Sequence, residues 1–149
     1  MPFTYEDFKL FLRDLEKEDD VTPKSMQKLL KRVTTENLWI YVLALLLEKP
    51  RYGYEIRKLI SERFGFEPAT VSGYVILYKA MEDGLIDKVT YVPPEKAEKK
   101  NAPVDRKNKK ERQDRIYYAI TDKGREAFNA AKKFFQIMLD VVFKNATEG

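Results

Sequence analysis

The chain contains no cysteine and no histidine, and these two absences exclude several classes of function. Without cysteine there can be no disulfide, no thiol chemistry and no cysteine-ligated metal. Without histidine the chain lacks the commonest metal ligand and the commonest general base near neutral pH. A metal site made only of carboxylates stays open, but no motif indicates one, and no paired-carboxylate motif indicates a hydrolase. We therefore expect neither an enzyme nor a cofactor.

Long hydrophobic runs are also missing. The longest, LWIYVLALLL at Leu38–Leu47, has ten residues, whereas a membrane-spanning helix needs about 20. This run is better interpreted as a buried helix, so we expect a cytoplasmic protein without a membrane partner. A chain of 149 residues with 44% hydrophobic content can supply one real core. The chain should form one domain with an added arm or helix.

The positive charge of the chain is local. Between Lys96 and Arg115 there are nine Lys or Arg and four Asp or Glu, a net charge of +5. The whole chain has a net charge of +4, so the other 129 residues sum to −1. A basic stretch of this kind is typical of a segment that binds nucleic acid. The alternative is an ordinary solvated loop, because acidic residues are interspersed.

The segment Tyr52–Ile86 has the pattern of a helix-turn-helix. A helix is predicted over residues 54–64, a Gly-containing turn at Gly65–Pro68, and a second helix over 69–83 that ends at Asp83-Gly84. Two β-prone runs, residues 85–92 and 115–121, then bracket the basic stretch. A helix-turn-helix followed by a basic β-hairpin is the outline of a winged helix. The predicted fold class is mainly α (α+β).

Additional helices are predicted on both sides of the winged helix. Residues 1–33 form an N-terminal extension with two amphipathic helices, of which the first is acidic and the second is basic (Lys24, Lys28, Lys31 and Arg32). The winged-helix domain takes residues 34–121, with a long basic wing at about 93–114. Residues 122–149 form a C-terminal helix and a short tail.

The C-terminal helix has two apolar stripes. The first consists of Phe128, Ala131, Phe135, Met138 and Val142, and the second of Phe134, Ile137 and Val141. A helix that is apolar on two sides needs two partners to bury against. One can be its own domain and the other a second subunit, so we expect a homodimer and assign the first stripe to dimerisation.

Four motifs occur in an order that is specific as a set: LALLLEKPRYGYEI (Leu43–Ile56), SGYVIL (Ser72–Leu77), EDGLI (Glu82–Ile86) and YYAITDKGREAF (Tyr117–Phe128). In these motifs the chain resembles the PadR family of transcriptional regulators. It departs from the family at Val75, where a Pro is usual, and at Ala80, where a Leu is usual. The wing is also longer and the N-terminal extension is added, so no relative's DNA target can be carried over.

The resemblance implies a homodimer that binds an imperfect palindrome in double-stranded DNA, most simply as a repressor. The implied DNA-reading positions at the start of the second helix are Thr70, Ser72, Gly73 and Tyr74. Hydroxyl groups can bond base edges or phosphates, and a glycine lets the backbone approach closely. The alternative for Thr70 and Ser72 is helix capping, and for Tyr74 it is a place in the core.

Basic side chains should supply the contacts to phosphate groups. Lys79 is a candidate further along the helix. The wing offers Lys99, Lys100, Arg106, Lys107, Lys109, Lys110 and Arg112. Because few aromatic residues accompany these cations, the wing should add affinity more than specificity.

Two further hypotheses remain. Some PadR relatives are released from DNA by small aromatic ligands, and Trp39, Tyr41 and Phe134 could line a pocket for such an effector, although aromatics at helical spacing are usually core. The rival to DNA binding is a winged helix used for protein–protein assembly. Its support is the uneven charge of the N-terminal extension, which could dock onto another chain.

Overall fold

The computed structural model describes residues 2–17, 22–68, 70–90 and 116–145, except for the side chains of residues 70–73. The helices of these ranges are α1 (Tyr5–Lys17), α2 (Lys24–Val33), α3 (Leu38–Leu46), α4 (Gly53–Leu59), α5 (Thr70–Glu82) and α6 (Asp122–Val141). The strands are β1 (Arg51–Tyr52), β2 (Ile86–Val89) and β3 (Tyr117–Ile120). A 3-10 turn, Thr35–Asn37, precedes α3, and a π-helical segment, Ile60–Phe64, continues α4.

The three strands form one small antiparallel sheet in the order β1-β3-β2. In the predicted hairpin, Ile86 pairs with Ile120 and Val89 with Tyr117. The strand β1 was not predicted, because two residues are too short to show an alternating pattern. It pairs with β3 through Arg51 and Tyr118. The order α3, β1, α4, α5, β2, β3 confirms the winged helix.

The core is centred on α3, which is apolar on all sides. Five of its nine residues are buried: Leu38, Val42, Leu43, Leu45 and Leu46. Several other elements contribute one or two buried side chains, such as Ile56 and Ile60 from the α4 segment and Leu77 from α5. Full burial of each such side chain is worth about 1.5–3 kcal/mol. This burial explains why the sequence of α3 is one continuous hydrophobic run.

The N-terminal arm, described at residues 2–17 and 22–33, packs on the winged helix of its own chain. The helix α1 begins with a capping box, in which the Thr4 N–H donates to Asp7 Oδ2 (2.8 Å) and the Asp7 N–H donates to Thr4 Oγ1 (3.2 Å). The hydrogen bond from the Thr4 backbone lowers the pKa of Asp7. Further along, Leu12 is buried in the core cluster and the Phe8 ring meets the ring of Phe64.

The helix α6 follows the last strand of the winged helix, and much of its apolar surface is exposed. Thr121 caps its start by accepting a hydrogen bond from the Gly124 N–H (3.0 Å). Phe128 packs against the core of its own chain, whereas Phe135 and Val142 are exposed. The predicted dimerisation stripe is therefore divided, since Ala131 and Met138 are half-buried. Exposed large apolar residues follow along the helix and just after it: Phe134, Phe135, Ile137, Leu139, Val141, Val142 and Phe143.

Candidate nucleic-acid interface

The helix α5 is held by one face and presents the other. Leu77 and Ala80 are 3% and 2% exposed and anchor the helix against the core. Tyr74 and Tyr78 are 58% and 60% exposed, and Lys79 is exposed beside them. The predicted second helix, residues 69–83, is confirmed to within one residue at each end. The geometry leaves the outer face of α5 open to a partner.

A sharp turn follows the π-helical segment and precedes α5. Gly65 has φ of 77° and its N–H donates to the Ser61 carbonyl (3.1 Å). This left-handed conformation favours glycine, which is why the helix ends there. Pro68 is buried and cannot continue a helix hydrogen-bond pattern. The turn therefore ends the first helix and separates it from α5.

The sequence-predicted reading positions lie at the start of α5. Thr70, Ser72 and Gly73 are in its first turn, but their side chains lie outside the described part, so their roles stay predictions. Tyr74 is exposed and is therefore not a core residue. The seven wing cations, Lys99 to Arg112, fall in the segment 91–115, which also lies outside the described residues.

Four tyrosines surround a cleft beside α5, which we call the tyrosine cleft: Tyr52, Tyr54, Tyr74 and Tyr118. The cleft has a volume of about 400 Å³. Tyr52 comes from β1, Tyr54 from the start of α4, Tyr74 from α5 and Tyr118 from β3. Ile116, which directly precedes β3, also lines it. The basic segment is thus joined to the sheet next to the cleft.

The tyrosine cleft is lined by phenol groups, and one cation lies beside it. The Arg57 guanidinium lies over the Tyr74 ring, 5.6 Å from its centroid, in a cation–π arrangement. Burial raises the pKa of Tyr118, and the nearby Tyr74 raises it further. The Tyr118 phenol therefore stays protonated and can donate a hydrogen bond. Phenol and guanidinium donors are among the groups that bind phosphate oxygens in protein–DNA complexes.

Arg57 and Tyr118 were missed as site residues by sequence reasoning. Alternation along YYAI could have separated Tyr118 from its buried neighbour Tyr117, because successive strand residues face opposite sides. Arg57 could be placed on the wetter side of its helix from periodicity alone. Its position over Tyr74 is a tertiary contact that no sequence pattern indicates.

An ion-pair network fixes the strand that leads into the cleft. Arg51 is 4% exposed, and its Nε donates to the Leu45 carbonyl (3.1 Å). Its guanidinium also pairs with Glu48 and with Glu55 (3.3 Å for the latter). Arg63 donates to Glu48 at 2.6 Å, and this hydrogen bond is the main cause of the lowered pKa of Glu48. Arg63 is therefore engaged in structure, although it lies on the outer side of its helix.

The three residues predicted to line an effector pocket have different surroundings. Tyr41 donates its hydroxyl hydrogen bond to the Val33 carbonyl and its ring meets Phe64 at 5.0 Å. Burial raises the pKa of Tyr41 to about 12. Trp39 is half-buried against the core, and Phe134 is 62% exposed on α6. Tyr41 thus serves packing, and a pocket between Trp39 and Phe134 stays a prediction.

The described residues also bear on metal binding and on membrane insertion. In these ranges no group of three or more Asp, Glu, His or Cys could hold a metal ion. Within the same ranges no helix has the length and hydrophobicity needed to cross a membrane.

The fold is a winged helix, a helix-turn-helix architecture that many DNA-binding proteins use. A family model described as the transcriptional regulator PadR-like family matches residues 42–130, which is more than half of the chain. The chain belongs to this family, whose members regulate transcription by binding DNA.

Solved structures with the same fold include a PadR family transcriptional regulator from Eggerthella lenta. It is 22% identical, with 89% of this chain and 99% of that chain covered at a TM-score of 0.57. A PadR family transcription regulator from Clostridium difficile is 21% identical over 72% and 95% of the two chains (TM-score 0.52). A transcriptional regulator from Clostridium thermocellum is 20% identical over 74% and 90% (TM-score 0.53). A search of curated protein sequences gave no match.

Proposed function

We propose that the protein is a homodimeric repressor that binds double-stranded operator DNA through the start of α5. The observation that carries this proposal is the one-sided burial of α5. Leu77 and Ala80 anchor the helix, while Tyr74 and Lys79 stay exposed beside the tyrosine cleft. A helix that is anchored in this way can enter a major groove without leaving its domain.

In this proposal the first turn of α5 reads the sequence. Thr70 and Ser72 offer hydroxyl groups to base edges, and Gly73 allows the backbone to come close to the DNA. Lys79 contacts a phosphate further along the helix. Tyr74 and Arg57, stacked at 5.6 Å, lie where the DNA backbone would pass the cleft.

The three parts of the chain have separate roles in the proposal. Residues 1–33 are an extension, residues 34–121 bind DNA, and residues 122–149 hold the dimer together. The wing supplies affinity that does not depend on sequence, because its cations displace counterions from phosphates. These cations are Lys99, Lys100, Arg106, Lys107, Lys109, Lys110 and Arg112.

The proposed dimer interface is the exposed apolar surface along α6, which includes Phe135 and Val142 of the stripe assigned to dimerisation from the sequence. Phe134, Ile137 and Val141 are each more than half exposed and recur at helical spacing. An apolar strip of this kind on one chain is typical of an interaction site. A two-fold partner that buries it presents two copies of α5, which must enter successive major grooves about 34 Å apart. Occupation of a promoter would then repress transcription in the cytoplasm.

In the experiment, the wild-type protein first selects a preferred duplex from a random-sequence library. Fluorescence anisotropy then compares this duplex with a scrambled one at several salt concentrations. We expect the selected duplex to bind at least about 10³-fold tighter, with an affinity that falls steeply with salt. Weak binding that is the same for both duplexes and insensitive to salt would favour a protein–protein assembly module instead.

A further inference from the structure

The helix α2 carries a basic stripe that the family domain does not include. The stripe consists of Lys24, Lys28, Lys31 and Arg32, all exposed. These positions fall within an arc of about 100° on a helical wheel. No acidic residue occurs anywhere in α2, and the helix ends before the family match begins at residue 42.

The opposite face of α2 is fastened to the winged helix, so the stripe has a fixed direction. Leu30 packs against the core cluster. The Thr34 hydroxyl donates to the Leu30 carbonyl at 2.6 Å and closes the end of α2, and the Tyr41 hydroxyl of α3 joins that end to the winged helix by donating to the Val33 carbonyl. Since α2 is attached through its apolar side, the basic stripe lies on its solvent-exposed side.

Three of these cations have no ion pair within the described part of the chain. Arg32 pairs with Glu36 at 3.2 Å across a well-exposed surface. Lys24, Lys28 and Lys31 have no acidic side chain within 4.0 Å among the described residues. Like charges along one helix face repel one another, and among the described residues these three lysines have no ion-pair partner that offsets this repulsion. An anionic partner would remove this repulsion.

The stripe lies beside the turn that leads into α5. Lys31 lines a groove of about 250 Å³ together with Phe66, Leu12 and Glu16. Phe66 is four residues before the start of α5, a distance of at most about 14 Å along the chain. On the other side of this turn, a Cβ at Gly65 would lie 2.8 Å from Lys9 Cγ, so α1 also packs on it. The arm therefore packs beside the turn that precedes the proposed recognition helix.

We propose that the basic stripe of α2 binds the phosphate backbone of DNA that flanks the site read by α5. From Lys24 to Arg32 the stripe is about 12 Å long, and one strand of a duplex carries a phosphate about every 3.4 Å along the duplex axis, so the stripe is long enough to contact more than one phosphate. The arm thus extends the contact beyond the family domain. This inference rests on the proposed function, because it requires α5 to be on DNA.

The test compares two duplexes that both carry the library-selected site. The short duplex ends at the edges of the site, and the long duplex has flanks of unrelated sequence, about one half-turn on each side. We expect the wild type to prefer the long duplex by roughly tenfold at low salt. The variant Lys24→Gln/Lys28→Gln/Lys31→Gln should lose this preference, with a salt slope shallower by about 1 to 3 per protomer. Its affinity for the short duplex should change less than twofold.

The matched control removes the same charge elsewhere. Arg13→Gln/Lys17→Gln/Lys49→Gln removes three exposed cations that lie outside α2, α5, α6 and the wing and should keep the preference for the long duplex. Circular dichroism verifies that both variants are folded.

Three results would overturn the proposal. One is a wild type that binds both duplexes equally, and another is a stripe variant that still prefers the long duplex. The third is a stripe variant that no longer binds phosphatidylglycerol vesicles but still binds flanking DNA. This result would assign the stripe to a membrane surface. Failure of the wild type to bind the selected site at all would instead refute the proposed function.

Discussion

The junction between the hairpin and α6 gives a sharp prediction about Gly124. This residue is buried in the first turn of α6. A Cβ placed on it would lie 2.2 Å from the Leu85 carbonyl oxygen and 2.8 Å from Ile120 Cγ1. The first distance is more than about 1 Å short of an ordinary contact. The carbonyl cannot easily retreat, because it accepts a hydrogen bond from the Thr121 N–H (3.0 Å).

We therefore expect Gly124→Ala to destabilise the protein. Overpacking of a well-packed site costs about 1–3 kcal/mol, and the upper part of this range applies because the clash is with backbone. The higher helix propensity of alanine returns at most about 1 kcal/mol. The net loss in the free energy of unfolding should be about 2 kcal/mol, which lowers Tm by roughly 4–8 °C for a chain of this size.

Gly53→Ala is the matched control for this change. Gly53 also lies at the start of a helix, and its added Cβ would meet Leu77 Cδ1 at 3.5 Å, an ordinary contact. This variant should be neutral or stabilised by up to about 1 kcal/mol. Thermal unfolding is followed by circular dichroism at one protein concentration, because subunit association makes Tm depend on concentration. The reasoning is refuted if both variants melt together, or if Gly124→Ala melts like the wild type.

Three further predictions concern burial, ionisation and assembly. Arg51→Ala removes the centre of a buried ion-pair network and should cost about 3 kcal/mol in urea unfolding; a loss below about 1 kcal/mol contradicts this. Because the pKa of Tyr41 is raised to about 12, its neutral phenol contributes stability that is complete below pH 10 and is lost as pH rises toward 12. Tyr41→Phe should therefore lose less stability than the wild type over this alkaline range, and equal losses would contradict the assignment. Ile137→Glu puts a charge on the exposed apolar face of α6 and should shift a dimer to monomers in sedimentation; an unchanged dimer would place the interface elsewhere.

The helix-turn-helix and the hairpin could be predicted because their signals are local. Apolar periodicity marks the two helices, Gly65 marks the turn with its φ of 77°, and Asp83-Gly84 marks the break before β2. Each of these features depends on residues within one or two turns of the chain. The capping box of Thr4 and Asp7 is a local feature of the same kind.

The features that were not predicted depend on contacts between distant segments. The strand β1 is only two residues long and exists because β3 pairs with it. In the network around Arg51, Glu48 and Glu55 are near in sequence, but the link from Glu48 to Arg63 joins residues 15 positions apart and needs the fold. The stacking of Arg57 on Tyr74 likewise requires the packing angle between two helices. For α6, periodicity located the apolar stripes, but only the fold shows that Phe128 packs inward.

The most direct test of the central claim compares two kinds of variant on the selected and scrambled duplexes. Thr70→Ala/Ser72→Ala alters the proposed reading positions, and charge reversal of Lys107, Lys109 and Lys110 alters the wing. If the start of α5 reads the sequence, the first variant should lose at least about tenfold of the preference for the selected duplex, since one lost base contact costs about 1–3 kcal/mol. The wing variant should weaken binding to both duplexes equally. An unchanged preference in Thr70→Ala/Ser72→Ala would contradict the assignment of α5 as the recognition helix.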